Sequence, residues 1–190
     1  MTSLLKLLLK TFYRYEQGRI QQYETDNPKD CAMKIDRIEE ADNGEWECSV
    51  TAKGPTGDYQ IGKGKVQVVV AVPPASVALK MDGQPITGPI DMNLDDQKQA
   101  FIDCVASGAR PAPTQFIWWI GQTQLNAEIT TREEAGENGK MNYISTLEYN
   151  AAPKHSGQEI KCQIDHQGYT TQQIAHETNC AKATLNLQCK

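Results

Sequence analysis

Two short stretches constrain the fold of this chain more than any others: Glu45-Trp46-Glu47-Cys48-Ser49-Val50 and Glu159-Ile160-Lys161-Cys162-Gln163-Ile164. In each, apolar and polar residues alternate with the period of a strand, and a cysteine stands in the middle of the apolar set. A side-chain period of two places Trp46, Cys48 and Val50 on one face, and Ile160, Cys162 and Ile164 on one face. A cysteine so placed points into a core, where only a partner from a facing sheet can reach it. Helical patterning is almost absent after residue 20. Short alternating runs separated by Gly, Pro, Asn and Asp take its place, which is the pattern of an all-β sandwich.

At 190 residues, two domains of about 100 residues each are expected. The apolar run Val66-Gln-Val-Val-Val-Ala-Val72 followed by Pro73-Pro74 reads as a last strand and then a stiff linker at 71–75. The expected domains are therefore 1–71 and 72–190. Net charge is -5 with no basic cluster, which argues against nucleic acid and against an anionic membrane surface. None of the six cysteines (Cys31, Cys48, Cys104, Cys162, Cys180, Cys189) lies in a C-x-x-C pair, so zinc and thioredoxin-type spacings are missing. Their wide separations suit bridges between distant strands in an oxidising compartment. The leucine-rich start, Met1 to Lys10, is interrupted by Lys6 and lacks a small-residue cleavage site. It reads either as a weak secretion signal or as a strand or short amphipathic segment.

Residues 104–162 resemble the immunoglobulin superfamily. Ile102, Cys104 and Ala106 share a face; Trp118 follows 14 residues after Cys104; Ser145, Leu147 and Tyr149 alternate; Cys162 closes the pattern. The resemblance implies a β-sandwich of the C2 type with Trp118 packed on a Cys104–Cys162 bridge, and Trp119 facing outward. In the first segment, Met33-x-Ile35-x-x-Ile38 reads as strand E. Asp42-Asn-Gly44-Glu-Trp46-Glu-Cys48 is similar to the superfamily's D-x-G-x-Y-x-C strand-F signature, with Trp46 where tyrosine is usual. Trp46 is thus a second core tryptophan, without the phenolic oxygen of a tyrosine corner. More narrowly, Cys31-x-Met-x-Ile-Asp-Arg-Ile, the Val-Val-Val-Ala-Val-Pro-Pro junction and Arg110-Pro-Ala-Pro with Phe116-Ile-Trp-Trp-Ile resemble invertebrate adhesion proteins of the fasciclin-III and nectin-like kind.

The first segment is too short for a variable-type domain. Strands A to D, with a cysteine on B and a tryptophan on C, do not fit before Cys31. Cys31 and Cys48 would lie about five residues apart in level, or about 16 Å, which is beyond disulfide reach. Residues 1–71 are therefore expected to be the C-terminal part of a truncated variable-type domain, with the partners of Cys31 and Cys48 missing. Cys180 and Cys189 flank the last strand at about 30 Å if extended, so a mutual bridge needs a sharp bend; a partner further downstream is expected for Cys189, and Cys180 is left unassigned.

No catalytic pattern survives inspection. Gly57-Asp-Tyr-Gln-Ile-Gly-Lys63-Gly64 nearly spells a phosphate-binding loop, but Gly64 stands where Ser or Thr must bind magnesium and a strand follows. His155, His166 and His176 lack the spacing of a metal pair, no G-x-S-x-G occurs, and Asp91 to Asp96 lacks an EF-hand pattern. No catalytic residue, metal, cofactor or small-molecule substrate is expected. By resemblance, the chain belongs to a cell-surface adhesion or recognition protein that pairs homophilically or heterophilically with another immunoglobulin protein. Its membrane anchor would lie outside these residues and its second domain would act as a spacer. The surviving part of the pairing face would be the F–G hairpin with Lys53, Pro55, Thr56, Asp58 and Tyr59, Tyr59 being the anchor; an ordinary solvated hairpin is the competing reading. A secreted immune-type binder and the ectodomain of a signalling receptor are the alternatives.

Overall fold

The computed structural model of this chain describes residues 4–5, 19–22, 33–53, 59–94, 99–125, 129–137 and 140–188. The chain divides into two compact units, Met1–Val70 and Ala71–Lys190.

In the first unit, β1 (Leu4–Leu5), β2 (Ile20–Gln22), β3 (Met33–Ile35), β4 (Gly44–Lys53) and β5 (Tyr59–Val68) follow in order. β4 and β5 form a long antiparallel hairpin running from Gly44↔Val68 to Lys53↔Tyr59. Leu4 and Leu5 add to the far side of β4, giving a sheet ordered β1-β4-β5, while β2 and β3 pair separately. The leucine-rich start thus contributes a strand.

Strand E is shorter than its sequence pattern suggests. β3 stops at Ile35, and Ile38 is 55% exposed instead of continuing the apolar face. The cause is Arg37, whose φ of 53° lies in the left-handed region that bulky residues avoid and that ends extended pairing. The bend turns the Arg37 carbonyl toward the Arg19 guanidinium, 2.8 Å away. Gly44 opens β4 at φ 130°, a conformation only glycine adopts without strain.

The second unit contains β6 (Ser76–Met81), β7 (Gln84–Pro85), β8 (Ile90–Asn93), β9 (Gln99–Ala109), β10 (Gln115–Ile120), β11 (Thr123–Gln124), β12 (Ile129–Ala135), β13 (Met141–Asn150), β14 (Glu159–Asp165) and β15 (Cys180–Gln188). They form two five-stranded sheets, β12-β13-β9-β6-β7 and β11-β10-β14-β15-β8. All pairings are antiparallel except β15 with β8. Alternation decides which residues face inward. Ile102, Cys104 and Ala106 on β9, with Leu147 and Tyr149 on β13, meet Trp118 and Ile120 on β10 and Ile160, Cys162 and Ile164 on β14. Full burial of such a side chain stabilises by about 1.5–3 kcal/mol.

The apolar run ends as a strand at Val68, and the residues after it are held by backbone hydrogen bonds. Val72 and Arg110 exchange backbone hydrogen bonds of 2.6 and 2.9 Å, and the Ala75 amide donates to Ser107. These bonds continue the β6–β9 ladder beyond Ser76, so the extended backbone satisfies its N–H and C=O groups there. The second unit also contains a 3-10 turn at Pro153–His155 and, between β14 and β15, a short α-helix, α1 (Thr171–Ala175). Thr170 and Gln173 cap it reciprocally, through Gln173 N–H to Thr170 Oγ1 at 3.2 Å and Thr170 N–H to Gln173 Oε1 at 2.9 Å.

Candidate functional site

The β4–β5 hairpin carries the residues expected to bind. Its last described rung is Lys53↔Tyr59; Thr56 and Asp58 lie outside the described residues, as does Pro55. The body of the hairpin is laced by ion pairs: Lys63 Nζ to Glu47 at 2.9 Å and Lys65 Nζ to Glu45 at 2.8 Å. The Lys63 hydrogen bond holds the Glu47 carboxyl below its usual range. These exposed pairs are screened and contribute little to stability, but they fix the register of charge along the ribbon. Gly62, Lys63 and Gly64 sit inside β5 opposite Val50, Ser49 and Cys48. The described part of the near phosphate-loop motif, residues 59–64, is therefore regular strand.

The base of the hairpin is fixed by residues that the sequence only half revealed. Asp42, fully buried, accepts hydrogen bonds of 3.1 Å from both Nη1 and Nη2 of Arg19, a two-pronged geometry that matches guanidinium to carboxylate. Its Oδ2 also accepts from the Glu39 amide at 2.7 Å. The Trp46 indole N–H donates to the Asp42 carbonyl at 2.7 Å. The bond that Trp46 was not expected to make is thus made by its ring nitrogen, which replaces a phenol. Arg19 was missed entirely, although a buried Asp in a D-x-G turn demands a cation and Arg19 stands directly before a strand.

In the second unit a disulfide joins Cys104 to Cys162 across the two sheets, with Cα atoms 6.3 Å apart. Trp118 is opposite Cys162 in register and fully buried. Its indole N–H donates to Ser145 Oγ at 3.0 Å, so the ring buries its large apolar area without orphaning its one donor. Trp119 takes the other face, but it is only half exposed because the Lys161 ammonium lies over its ring at 5.7 Å from the centroid. Cys31 and Cys189 lie outside the described residues. Cys48 pairs in backbone register with Gly64. Cys180 is a free, half-buried thiol whose pKa is raised by burial and then by Glu177. It begins β15, which extends without a break to Gln188.

The histidines do not converge. His155 Nδ1 lies 3.2 Å from the Tyr149 hydroxyl, and burial followed by Lys154 lowers its pKa. His166, buried, bridges the Pro111 carbonyl through Nε2 at 3.0 Å and accepts from the Gly168 amide at Nδ1. Gly168 has no room for a side chain, since a Cβ would come within 2.9 Å of Pro73. His166 is therefore a loop clasp. Asp91 lies on β8, while Asp95 and Asp96 fall outside the described residues. Among the described residues, no three of His, Cys, Asp and Glu are placed to share a metal ion. No described helix is long and apolar enough to cross a membrane.

Residues 84–173 match the family described as CD80-like C2-set immunoglobulin domain. The chain is 26% identical over 146 residues to human Cell adhesion molecule 3, covering 77% of this chain and 33% of that protein. The mouse protein of that name is 25% identical over the same length. Mouse Tyrosine-protein phosphatase non-receptor type substrate 1 is 26% identical over 143 residues, covering 74% of this chain and 26% of that protein. This chain thus spans about a third or less of the relatives it matches. Two packed sheets, an inter-sheet disulfide under a buried tryptophan and the C2-set match lead to one conclusion: the second unit is an immunoglobulin-like β-sandwich.

Proposed function

We propose that this chain is part of an extracellular recognition protein that mediates cell–cell adhesion through its immunoglobulin domains, pairing with a like or unlike immunoglobulin protein. One observation carries the reading. The similarity to Cell adhesion molecule 3 covers more residues than the second unit holds, so it reaches into the unit that bears the hairpin. In this reading residues 1–71 are the C-terminal part of a variable-type domain completed elsewhere in the parent, Cys48 and Cys31 take partners there, and the parent carries the membrane anchor. The domain expected over 72–190 serves as a spacer. The tip of the β4–β5 hairpin, with Lys53, Thr56, Asp58 and Tyr59, is the binding edge. The finer kinship is with fasciclin-III and nectin-like proteins, on the sequence stretches that carry that resemblance.

Aggregation of beads coated with the full-length ectodomain tests this, wild type against Tyr59→Ala. An anchor residue at the centre of an interface costs about 2 kcal/mol or more when truncated, so the variant should aggregate roughly thirtyfold less readily. Unchanged aggregation removes the assignment. The similarity to Tyrosine-protein phosphatase non-receptor type substrate 1 favours a second reading, the ectodomain of a signalling receptor. The coding sequence beyond Lys190 separates the two: a spanning helix with a short tail supports adhesion, and a long signalling tail supports the receptor.

A further inference from the structure

A groove of about 290 Å³ lies in the second unit between the loop at Ala112–Gln115 and strands β12 and β13. Its walls include the rings of Phe116 and Tyr143, with Pro113 and the buried Ile144 beside them. Glu133 stands directly opposite Tyr143 in the β12–β13 register, so its carboxylate shares the groove with that ring. Glu133 makes no ion pair among the described residues. Arg132, also in the wall, is held by Asp103 at 2.8 Å and by Glu134 at 3.4 Å, which neutralise it. Burial and then Glu133 push the Tyr143 hydroxyl upward, while Arg110 opposes them. β12 is also the outermost strand of its sheet among the described residues. Its outer edge offers a row of backbone donors and acceptors to an incoming strand.

We propose that the groove and the open edge of β12 together dock an extended segment of a protein partner, with one arginine or lysine side chain of that segment entering between Phe116, Tyr143 and Glu133. An aromatic face and a carboxylate attract a cation together, and the volume suits one long side chain. Strand addition to β12 supplies the backbone hydrogen bonds that hold the segment extended. This surface is separate from the β4–β5 hairpin, and its test does not depend on that hairpin's role.

The test is an amide-shift NMR titration of the oxidised chain with acetyl-Thr-Val-Thr-Arg-Thr-Val-Thr-amide and with the same peptide carrying citrulline for arginine. Shifts confined to β12 and the loop before β10 are expected, with the citrulline peptide about tenfold weaker because it keeps the shape and loses the charge. Glu133→Gln should weaken the arginine peptide by about tenfold and bring the two peptides together. Tyr143→Leu, which keeps an apolar wall, should weaken both. Overlap of the variants' remaining amide spectra with wild type establishes that they fold. Absence of shifts at β12, shifts centred on another sheet edge, or equal binding by Glu133→Gln would each overturn the proposal.

Discussion

The same two-stranded ribbon occurs in both units, and among the side chains described it is buried in only one. In the second unit Ile160 and Ala183 sit opposite each other on β14 and β15, two residues before Cys162, and are 0% and 9% exposed. Trp46 and Val66 hold the matching places on β4 and β5, two residues before Cys48, and Val66 is 53% exposed. Local chemistry is alike: strand alternation, a glycine turn and an aromatic or aliphatic residue before the cysteine. What differs is the facing sheet, which β9, β13 and β6 provide in the second unit. A ribbon takes its register from its own sequence, but it takes its stability from the surface that covers it.

The largest expected effect sharpens this contrast. Trp118→Ala should destabilise the second unit by about 3–5 kcal/mol, since it empties a fully enclosed site. Trp46→Ala should cost clearly less, because its ring is only half covered; denaturation of both variants followed by far-ultraviolet circular dichroism compares them. Equal costs would mean that the first unit is as well covered as the second. Next comes Ser145→Ala, which strands the Trp118 indole N–H in the core at about 1–3 kcal/mol. That loss should appear as a lower denaturation midpoint with an unchanged slope.

Smaller effects follow from titration. Burial pushes Tyr149 and Tyr169 up to about 12. A group that ionises less readily when folded contributes stability that is lost as pH rises from its unfolded value, near 10, through its folded one. Tyrosinate absorbance should therefore lag for two tyrosines of the second unit and rise with its alkaline unfolding. The smallest effect concerns Asp103. Burial raises its pKa, but hydrogen bonds from Arg132 and Thr146 outweigh this and hold the carboxyl below its usual range. Its contribution is complete above the unfolded carboxylate pKa, near 3.9, and disappears as pH falls through the lower folded value. Arg132→Ala should lower stability slightly near neutrality, only slightly because the pair is exposed, and the difference from wild type should vanish as pH falls through the carboxylate range.

The second unit was legible because its signals are local and repeat. Cysteine, tryptophan and alternating residues fix which faces turn inward, and the strands that carry them are long. What escaped was decided at a distance or by a single dihedral. Arg19 and Asp42 are joined across 23 residues, so spacing alone could not couple them. Ile38 looked like the next residue of an apolar face, but Arg37 turned the chain. Val69 and Val72 looked like a continuous strand, although Val72 pairs with Arg110 instead. The Thr170–Gln173 capping box was readable in principle, yet five helical residues carry too weak a period to stand out.

Hydrogen exchange of the intact, oxidised chain tests the contrast between the units most directly. Amides of β9, β10, β13 and β14 should exchange only through global opening of the second unit, while those of β4 and β5 exchange orders of magnitude faster. That result would direct binding assays of the hairpin to the full parent protein. Equal protection of β4–β5 and β14–β15 would contradict the account, because it would show that the first unit covers a ribbon whose described side chains are exposed.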